Sequence, residues 1–555
     1  MNATPQKIRA LPRGDQDDSQ DEPPLATARW LSTGQVMQAM KAGAAETWRS
    51  PVLLGQLWER DVPHRFVSAD DRHLVTIAGS RSGKGRSLIL PNLLSYPGSV
   101  VCIDPKGENA AVTARYRRDT LGQNVVILDP FNVLAKRGDL ADLRGGFNPF
   151  EWVNADATAV DDVAALADAL IVRDNDRDPH WNESARAFLK GIMLFVMSLP
   201  TYTYADDDAE NGEPTGVNWS LDFVRRLVSV GLSKRAGRPP SLDGLLKTMQ
   251  ESDGFDGAVS AAGHLIAQMG ENERGGVLSN LRRHTEFLES KPIAECLASS
   301  DFDPSKIAVE PTTVYLVLPE WRMGTHARWL RVVITSLMQG LQRAKRAPGG
   351  HATLFVLDEF ATLGHMESIE RAAGYIAGFG VKLWLIVQDL NQLKSLYADR
   401  WETFLGNAGA LTAFGNADVT TLQYLSQRLG ATEVVRTLIH TSHQHGSSEN
   451  RSGVGQAIES LSRGRVAAAI FGQDSENTQS GFSQSATPGL HQTALITPDE
   501  IARHFSRESE MLIVHLSGQQ PFRLNRIQYE RDEPFCSRAD PSPYHPTVSQ
   551  ASAAS

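Results

Sequence analysis

A single glycine-rich segment places the strongest constraint on the fold of this chain. Residues 78–87 read Ala-Gly-Ser-Arg-Ser-Gly-Lys-Gly-Arg-Ser and lie between a strand-like apolar run, residues 73–78, and a stretch with helical periodicity. In a strand–loop–helix unit, backbone N–H groups and the helix dipole face an anion, and Lys84 can reach the β- and γ-phosphates of a nucleotide. The segment therefore predicts a phosphate-binding loop within an α/β fold.

The loop departs from the general pattern G-x-x-x-x-G-K-[S/T] at two positions. Ala78 stands in place of the first glycine, and Gly85 stands in place of the hydroxyl residue that would hold Mg²⁺. A glycine-rich turn that binds no nucleotide is the alternative interpretation. The candidate nucleotide-binding residues are Gly79, Ser80, Arg81, Ser82, Gly83, Lys84, Gly85 and Arg86.

An acidic pair follows another buried strand-like run, as the second half of a nucleotide site requires. Asp358 and Glu359 come directly after the apolar residues 354–357. Asp358 would hold Mg²⁺, directly or through water, and Glu359 would polarise the attacking water. Asp104 and Asp129 also follow strand-like runs, but no glutamate comes after either of them. An Asp358 that only caps the next helix is the alternative.

Gln388 ends a further strand-like run, residues 383–387. A polar side chain at the carboxyl end of a strand beside a phosphate site can sense the γ-phosphate and couple hydrolysis to movement. A helix-capping role is equally open. The predicted catalytic residues are therefore Glu359, Asp358 and Gln388, with ATP and Mg²⁺ as the cofactors.

Strand-like and helix-like segments divide the chain into regions. The short apolar runs that predict buried strands are residues 73–78, 99–103, 124–128, 313–318, 353–357, 383–387, 411–414 and 511–516. Between the third and fourth runs, residues 156–304 show the 3.6-residue periodicity of helices. We therefore expect a sheet that is interrupted by a helical insertion.

The remaining segments are polar. Residues 1–24 and 536–555 are predicted to be disordered tails, because they carry few large apolar side chains. Residues 440–489, rich in Ser, Gly, Gln and Asn, are predicted to form a flexible loop. No segment reaches the roughly 18 apolar residues of a membrane span, and no signal peptide is visible. The expectation is a cytoplasmic chain with no transmembrane segment of its own.

The net charge of −10 gives no support for nucleic-acid binding. Proteins that coat nucleic acid usually present a basic face to the phosphates. A motor can nevertheless hold phosphates with a few Lys or Arg side chains in a pore while its exterior stays acidic.

Several ordered motifs resemble those of the coupling-protein ATPases of type IV secretion and conjugation, the TraG/VirD-type family related to the FtsK and HerA motors. They lie at residues 28–30, 81–85, 91–94, 104–108, 313–319, 357–360, 384–393 and 497–501, and the resemblance covers about residues 26–546. The Gly-Lys-Gly loop is familiar in this branch, although that does not show how Mg²⁺ is held.

The resemblance implies a RecA-like P-loop motor domain in residues 25–155 and 305–535, interrupted by an all-α domain in residues 156–304. It also implies a homo-hexamer that works with single-stranded DNA or a relaxase–DNA complex and with secretion-channel proteins. The two N-terminal transmembrane helices usual in the family are not seen, so docking at the inner membrane through a partner is one expectation. Residues 374–380 lack the arginine finger that some relatives have, and Arg371 is the nearest substitute.

Three functions remain open from the sequence. The leading hypothesis is an ATP-driven coupling protein that recruits DNA or a DNA–protein substrate and moves it to a type IV secretion channel. The second is a cargo-recruitment platform that hydrolyses ATP weakly or not at all, favoured by the missing hydroxyl at Gly85 and the acidic balance. The third is a soluble DNA pump outside secretion.

Overall fold

The chain is described here by a computed structural model. It covers residues 27–43, 51–154, 157–172, 180–200, 219–231, 241–344, 350–445 and 480–544. The predicted disordered tail at residues 1–24 lies outside these residues. Contacts divide the chain into two compact units, a larger one of Trp30–Leu429 with Ile496–Ser555 and a smaller one of Met1–Arg29 with Gly430–Leu495.

The larger unit is built on an eleven-stranded sheet. Its strands are β1 (Val52–Glu59), β2 (Val62–Ser68), β3 (His73–Ala78), β4 (Val100–Asp104), β5 (Asn124–Leu128), β6 (Thr312–Val317), β7 (Thr353–Leu357), β8 (Val381–Val387), β9 (Ala408–Phe414), β12 (Met511–Leu516) and β13 (Phe522–Asn525). Their order is β2-β1-β13-β12-β9-β3-β8-β7-β4-β6-β5. The strands from β9 to β5 are parallel, and the others pair antiparallel.

The parallel strands are apolar because both of their faces are covered. Every residue of β3, β7, β8 and β9 is buried, which is the pattern expected when helices pack on both sides of a parallel sheet. This arrangement confirms the predicted α/β fold class. The sequence did not predict β1, β2 and β13. In β2, at the edge of the sheet, only Phe66 and Ser68 are buried.

Helices flank the sheet and fill the interval between β5 and β6. They are α1 (Thr33–Gly43), α2 (Leu90–Leu93), α3 (Glu108–Asp119), α4 (Ala159–Leu170), α5 (His180–Ser198), α6 (Leu221–Val230), α7 (Leu242–Gln250), α8 (Ala258–Ala267), α9 (Glu271–Thr285), α10 (Lys291–Cys296), α11 (Glu320–Arg343), α12 (Glu367–Tyr375), α13 (Leu390–Tyr397), α14 (Glu402–Gly406), α15 (Val419–Leu429), α16 (Pro498–His504) and α17 (Phe535–Arg538).

Helices α4 to α10 occupy the described part of the segment predicted to be all-α. Serine side chains cap two of them: Ser220 Oγ accepts from Phe223 N at 3.2 Å, and Ser241 Oγ accepts from Gly244 N at 3.1 Å. Each cap satisfies an N–H group that the first helical turn leaves free. The exact domain limits at residues 155 and 305 stay predictions.

The C-terminal residues differ from the predicted disordered tail, because residues 536–544 are folded against the sheet domain. The Asp540 carboxylate accepts from Arg115 Nε at 3.0 Å and from Arg137, and its backbone N–H donates to Val112 O at 2.9 Å. Asp540 is buried by these contacts. A polar, proline-rich composition therefore does not prevent order where specific partners are supplied.

The smaller unit contains a two-stranded antiparallel sheet of β10 (Ala431–His445) and β11 (Ser480–Ala494). The strands pair in continuous register from Ala431 opposite Ala494 to His445 opposite Ser480. Residues 440–445 and 480–489 of the predicted flexible loop are thus paired backbone, and residues 446–479 lie outside the described residues. Among all described residues, no helix is long and apolar enough to cross a membrane.

Candidate nucleotide-binding site

The glycine-rich loop follows β3 directly, at the carboxyl edge of the parallel strands. Its first turn is closed by a hydrogen bond from Ser82 N to Gly79 O at 3.2 Å. The start of the loop is joined to β9, because Gly79 N donates to Phe414 O at 3.4 Å. A β-carbon at position 79 would lie 2.0 Å from the carbonyl oxygen of Gly415, so only glycine fits there. Gly83 has φ of +88°, a left-handed conformation that favours glycine for backbone reasons.

The helical turn after the loop begins at Gly85, where a serine or threonine would be expected. A β-carbon at this position would meet nothing within 4 Å. Ser87 is buried, and its N–H donates to Gly83 O at 2.9 Å. The fold therefore has room for a hydroxyl side chain at position 85, and its absence is not imposed by packing.

Lys84 meets the acidic pair at the end of β7. Its Nζ lies 3.0 Å from Asp358 Oδ1 and also forms an ion pair with Glu359 Oε1. All three side chains are largely buried. Lys84 and Glu359 are separated by 275 positions in the sequence. The structure thus brings the predicted lysine and both predicted carboxylates to one point at the carboxyl edge of the sheet.

Burial and charge pull the pKa values of this cluster in opposite directions. Burial raises the pKa of Asp358, and the ammonium of Lys84 only partly opposes that effect. Burial lowers the pKa of Lys84, but the carboxylates of Asp358 and Glu359 outweigh it and the net direction is upward. One ammonium faces two carboxylates, so the cluster has an excess of negative charge that suits a divalent cation.

The backbone at Glu359 is unusual, with φ of +53°. Left-handed conformations cost energy for residues other than glycine and are concentrated at functional sites. The conformation is supported by a hydrogen bond from Glu359 N to Asp358 Oδ1 at 3.0 Å. The turn therefore directs both carboxylates toward the phosphate-binding loop.

Gln388, directly after β8, joins the same cluster. Its Nε2 donates to Glu359 Oε2 at 2.9 Å. Its backbone N–H donates to Gln392 Oε1 at 3.0 Å, and its carbonyl accepts from Asn416 Nδ2 at 3.2 Å. The helix that follows is capped by Asp389 instead, whose Oδ1 accepts from Gln392 N at 3.1 Å. Gln388 is therefore free of the capping role and contacts the predicted general base.

The other predicted site residues are arranged differently. Arg81 is exposed with φ of +55°, and Ser80 is also exposed. Arg86 is exposed, and its Nε forms an ion pair with Glu530 at 2.7 Å. Arg371, the nearest substitute for an arginine finger, is exposed on α12 and pairs with Glu367 one turn away. A role for Arg371 in a neighbouring subunit stays a prediction.

The two competing aspartates have local structural partners. Asp104 Oδ2 accepts from Ala110 N at 2.9 Å, and burial raises the pKa of Asp104 to about 7. Asp129 accepts from Val133 N and Leu134 N, both at 2.9 Å. These carboxylates cap the segments that follow their strands, which supports the preference for Asp358 as the metal ligand.

Sequence reasoning missed Arg526, which lies just after β13. Its guanidinium donates to the carbonyl oxygens of Ser82, Arg507 and Ser509. It also lies over the Phe414 ring, 4.9 Å from the ring centroid. Arg526 and Ser82 are 444 positions apart, and no local sequence pattern links an arginine near the C-terminus to the phosphate-binding loop.

A second buried arginine, Arg331 on α11, fixes the segment that follows Glu359. It donates to Leu363 O at 2.7 Å and to His365 O at 2.8 Å. On its other side it donates to Ala169 O at 2.6 Å, near the end of α4. Arg331 therefore ties the turn after the acidic pair to the first helix of the predicted all-α segment.

These residues fit a magnesium nucleotide. Backbone N–H groups of residues 83–85 and the Lys84 ammonium are suited to phosphate oxygens, and Asp358 supplies the oxygen ligand that Mg²⁺ prefers. Because Mg²⁺ keeps several waters and binds substrate phosphates, one protein carboxylate is enough to hold it in such a site.

Comparisons with known proteins agree with this arrangement. The family described as Type IV secretory system Conjugative DNA transfer matches residues 25–457. Among curated proteins, a conjugal transfer protein TraG of Escherichia coli is 27% identical over 92% of this chain and 77% of its own length. The type IV secretion system-coupling protein VirD4 of Bartonella quintana is 24% identical over 85% of this chain and 65% of its own length.

Solved structures share the fold at low sequence identity. The unbound conjugative coupling protein TrwBdeltaN70 matches with a TM-score of 0.59 and 15% identity, covering 94% of this chain and 96% of that chain. The plasmid coupling protein TrwB in complex with ADP and Mg²⁺ matches with a TM-score of 0.58 and 15% identity, covering 93% and 97%. The eleven-stranded sheet and its helices are therefore an arrangement already seen in solved structures.

Proposed function

Because this chain belongs to the type IV secretory system conjugative DNA transfer family, we propose that it is a coupling protein that hydrolyses ATP to deliver DNA to a secretion channel. Its curated relatives are named as conjugal transfer proteins and as coupling proteins. The family supplies the transfer role, and the cluster around Lys84 supplies the chemistry.

One observation carries the proposal. Lys84, Asp358, Glu359 and Gln388 come from three separate loops and meet within hydrogen-bond distance at the carboxyl edge of β3, β7 and β8. A protein that only recruits cargo has no physical need for a lysine and two carboxylates held together in a buried, strained turn. The named complex of TrwB with ADP and Mg²⁺ supports the same ligands for this site.

Each residue receives a role from its position. The loop from Gly79 to Gly85 and the Lys84 ammonium bind the phosphates, and Asp358 would hold Mg²⁺, which neutralises charge that develops on the phosphates when it is bound. Glu359 orients the attacking water and accepts its proton. Gln388 donates a hydrogen bond to the Glu359 carboxylate. It would sense the γ-phosphate by giving up this hydrogen bond for one to a phosphate oxygen.

Nucleotide binding requires the Lys84 ion pairs to rearrange. The ammonium must move from Asp358 and Glu359 toward phosphate oxygens, which releases both carboxylates for metal and water. This exchange costs little net electrostatic energy, because each partner finds a replacement of opposite charge or a hydrogen-bond donor. The closed cluster therefore suits a protein that forms its hydrolytic arrangement only with substrate.

The test is steady-state ATP hydrolysis by the full chain, with and without single-stranded DNA. Glu359→Gln should lower kcat at least about 100-fold while the protein still binds ATP, because the general base is lost and the phosphate contacts remain. Glu402→Gln, the same substitution at an exposed position of α14, is the matched control and should hydrolyse normally. Wild-type protein that is folded and oligomeric but never hydrolyses ATP would refute the motor and favour a recruitment platform.

The finer features extend the same proposal. We propose a homo-hexamer, single-stranded DNA or a relaxase–DNA complex as cargo, and docking at the inner membrane through a partner protein. A recruitment platform is the second candidate because Gly85 supplies no hydroxyl for Mg²⁺. A soluble DNA pump outside secretion shares the chemistry and would differ in its partners.

A further inference from the structure

A group of aromatic side chains is exposed beside the ends of β5 and β6, away from the phosphate-binding loop. Trp321, in the first turn of α11, is 80% exposed, and Tyr544 is 50% exposed. With Phe131 and Arg322 they line an open depression of about 400 Å³. We call these four residues the Trp321 surface. It lies at the same carboxyl edge of the sheet as Lys84.

Neighbouring contacts hold the surface in place. The Phe131 ring packs against His326, with centroids 5.1 Å apart at an interplanar angle of 82°. The Arg322 guanidinium lies over the same ring, 5.2 Å from its centroid. Tyr544 is anchored by its hydroxyl, which donates to Lys106 O at 2.9 Å. The Phe131 and Tyr544 rings are therefore positioned before any partner arrives.

Among the described residues that line the depression, Arg322 alone is charged. Arg144 reaches its rim by donating to Asn132 Oδ1 at 2.9 Å, and Lys106 is an exposed neighbour whose carbonyl accepts from the Tyr544 hydroxyl. Glu320 is the exposed acidic neighbour, and the nearby Asp129 carboxylate is buried and used by backbone N–H groups. The carboxylates of Asp104 and Glu108 also lie near the Tyr544 hydroxyl, but Asp104 is buried and Glu108 accepts from Ser542 Oγ at 2.7 Å. The exposed guanidinium of Arg322 therefore remains available beside the rings, and it suits a phosphate group.

We propose that the Trp321 surface binds single-stranded nucleic acid, with unpaired bases stacked on Trp321 and Tyr544 and phosphates held by Lys106 and Arg322. Stacking on aromatic rings needs no particular base, because every base has a π-face. An arginine already aligned with a ring extends the same flat platform. The inference rests on the proposed function, since it assigns a place on this chain to the DNA that the family transfers.

The position of Trp321 also connects the surface with the hydrolytic residues. Trp321 and Arg331 lie on the same helix, α11, ten positions and about 15 Å apart. Arg331 is buried and contacts the turn that follows Glu359. A nucleic acid strand that stacks on the first turn of α11 therefore contacts the same helix that positions the turn after Glu359.

The experiment measures binding of a fluorescent oligothymidylate to the full chain by anisotropy, over a series of salt concentrations. Trp321→Ala should weaken binding about 10-fold, within the range found for loss of one stacking partner, and Trp321→Phe should keep most of the affinity. Arg322→Ala should reduce the slope of log affinity against log salt by about one phosphate contact. Trp58→Ala removes an exposed tryptophan on β1 and should bind as wild type does.

Three results would overturn the inference. One is a Trp321→Ala variant that binds the oligonucleotide as tightly as the Trp58→Ala control, and another is wild-type protein that does not bind it. The third is a Trp321→Ala variant whose oligomer dissociates in light scattering, because the surface would then be a contact between subunits. The proposed function is judged separately by ATP hydrolysis, which can be present in the wild type whichever binding result is found.

Discussion

Replacement of Arg526 by alanine should weaken nucleotide binding even though Arg526 is distant in sequence from the phosphate-binding loop. Its guanidinium holds the carbonyl of Ser82 on one side and the carbonyls of Arg507 and Ser509 on the other. With the Ser82 carbonyl held in this direction, the loop can present the following N–H groups to phosphate. Alanine leaves the Ser82 peptide free to rotate.

The magnitude follows from these contacts. A hydrogen bond that involves a charged group contributes about 1.5–3 kcal/mol, and Arg526 makes three of them in a buried position. Water can replace some of these bonds, so we expect a loss of about 3 kcal/mol in the free energy of unfolding. Loss of the single bond to Ser82 should weaken binding of a magnesium nucleotide about 10- to 100-fold.

The assay combines urea denaturation with calorimetric titration of MgADP. Arg523→Ala is the control, because Arg523 is exposed on β13, three positions before Arg526, and lies over the Trp30 ring, 5.3 Å from its centroid. Arg526→Lys keeps the charge but cannot span the separated carbonyls, so its affinity should fall as well. If Arg526→Ala is destabilised yet binds MgADP within twofold of the control, Arg526 supports the fold alone and the reasoning is refuted.

Three further predictions concern other parts of the site and the sheet. Gly85→Ser should change the free energy of unfolding by less than about 1 kcal/mol, because the position is open, and should lower the Mg²⁺ concentration needed for half-maximal hydrolysis; a large loss of stability would contradict this. Arg331→Lys should lower the free energy of unfolding by about 2 kcal/mol and should reduce kcat while KM changes little. Arg186→Lys, on α5, should change neither the free energy of unfolding nor kcat. Burial lowers the pKa of Lys382 to about 8 from 10.5. Between about pH 8 and 10.5 the unfolded chain therefore binds more protons than the folded chain, so the free energy of unfolding should rise with pH. Lys382→Met should remove about 2 kcal/mol of this rise between about pH 7.5 and 9.5, as measured by urea denaturation.

Local patterns were sufficient to predict the parallel strands and the loop. Short apolar runs such as residues 353–357 report burial on both faces, which is a property of the segment itself. Gly83 indicates a left-handed backbone conformation, and Asp358 with Glu359 places polar groups at the end of a strand. Each of these signals is contained within about ten residues, so the sequence was enough to find them.

Weaker local signals led to errors at the margins. The strands β1, β2 and β13 were missed because they lie toward the antiparallel side of the sheet and have no run as uniformly apolar as β3. Residues 536–544 were predicted to be disordered from composition, yet Asp540 forms ion pairs with Arg115 on α3 and with Arg137. Composition describes what a segment can bury by itself and contains nothing about what other segments offer it.

The sequence by itself determined which chemical groups this protein has and which local structure carries each of them: a phosphate-binding loop with Lys84, an acidic pair after a buried strand, and an amide after another. Only the tertiary structure decided which groups meet. The order β3-β8-β7 places Lys84 beside Glu359 and Gln388, and the antiparallel return of β13 brings Arg526 under the loop. Periodicity records how one segment is buried, whereas contacts between distant segments depend on the order of strands in the sheet, which no single segment specifies.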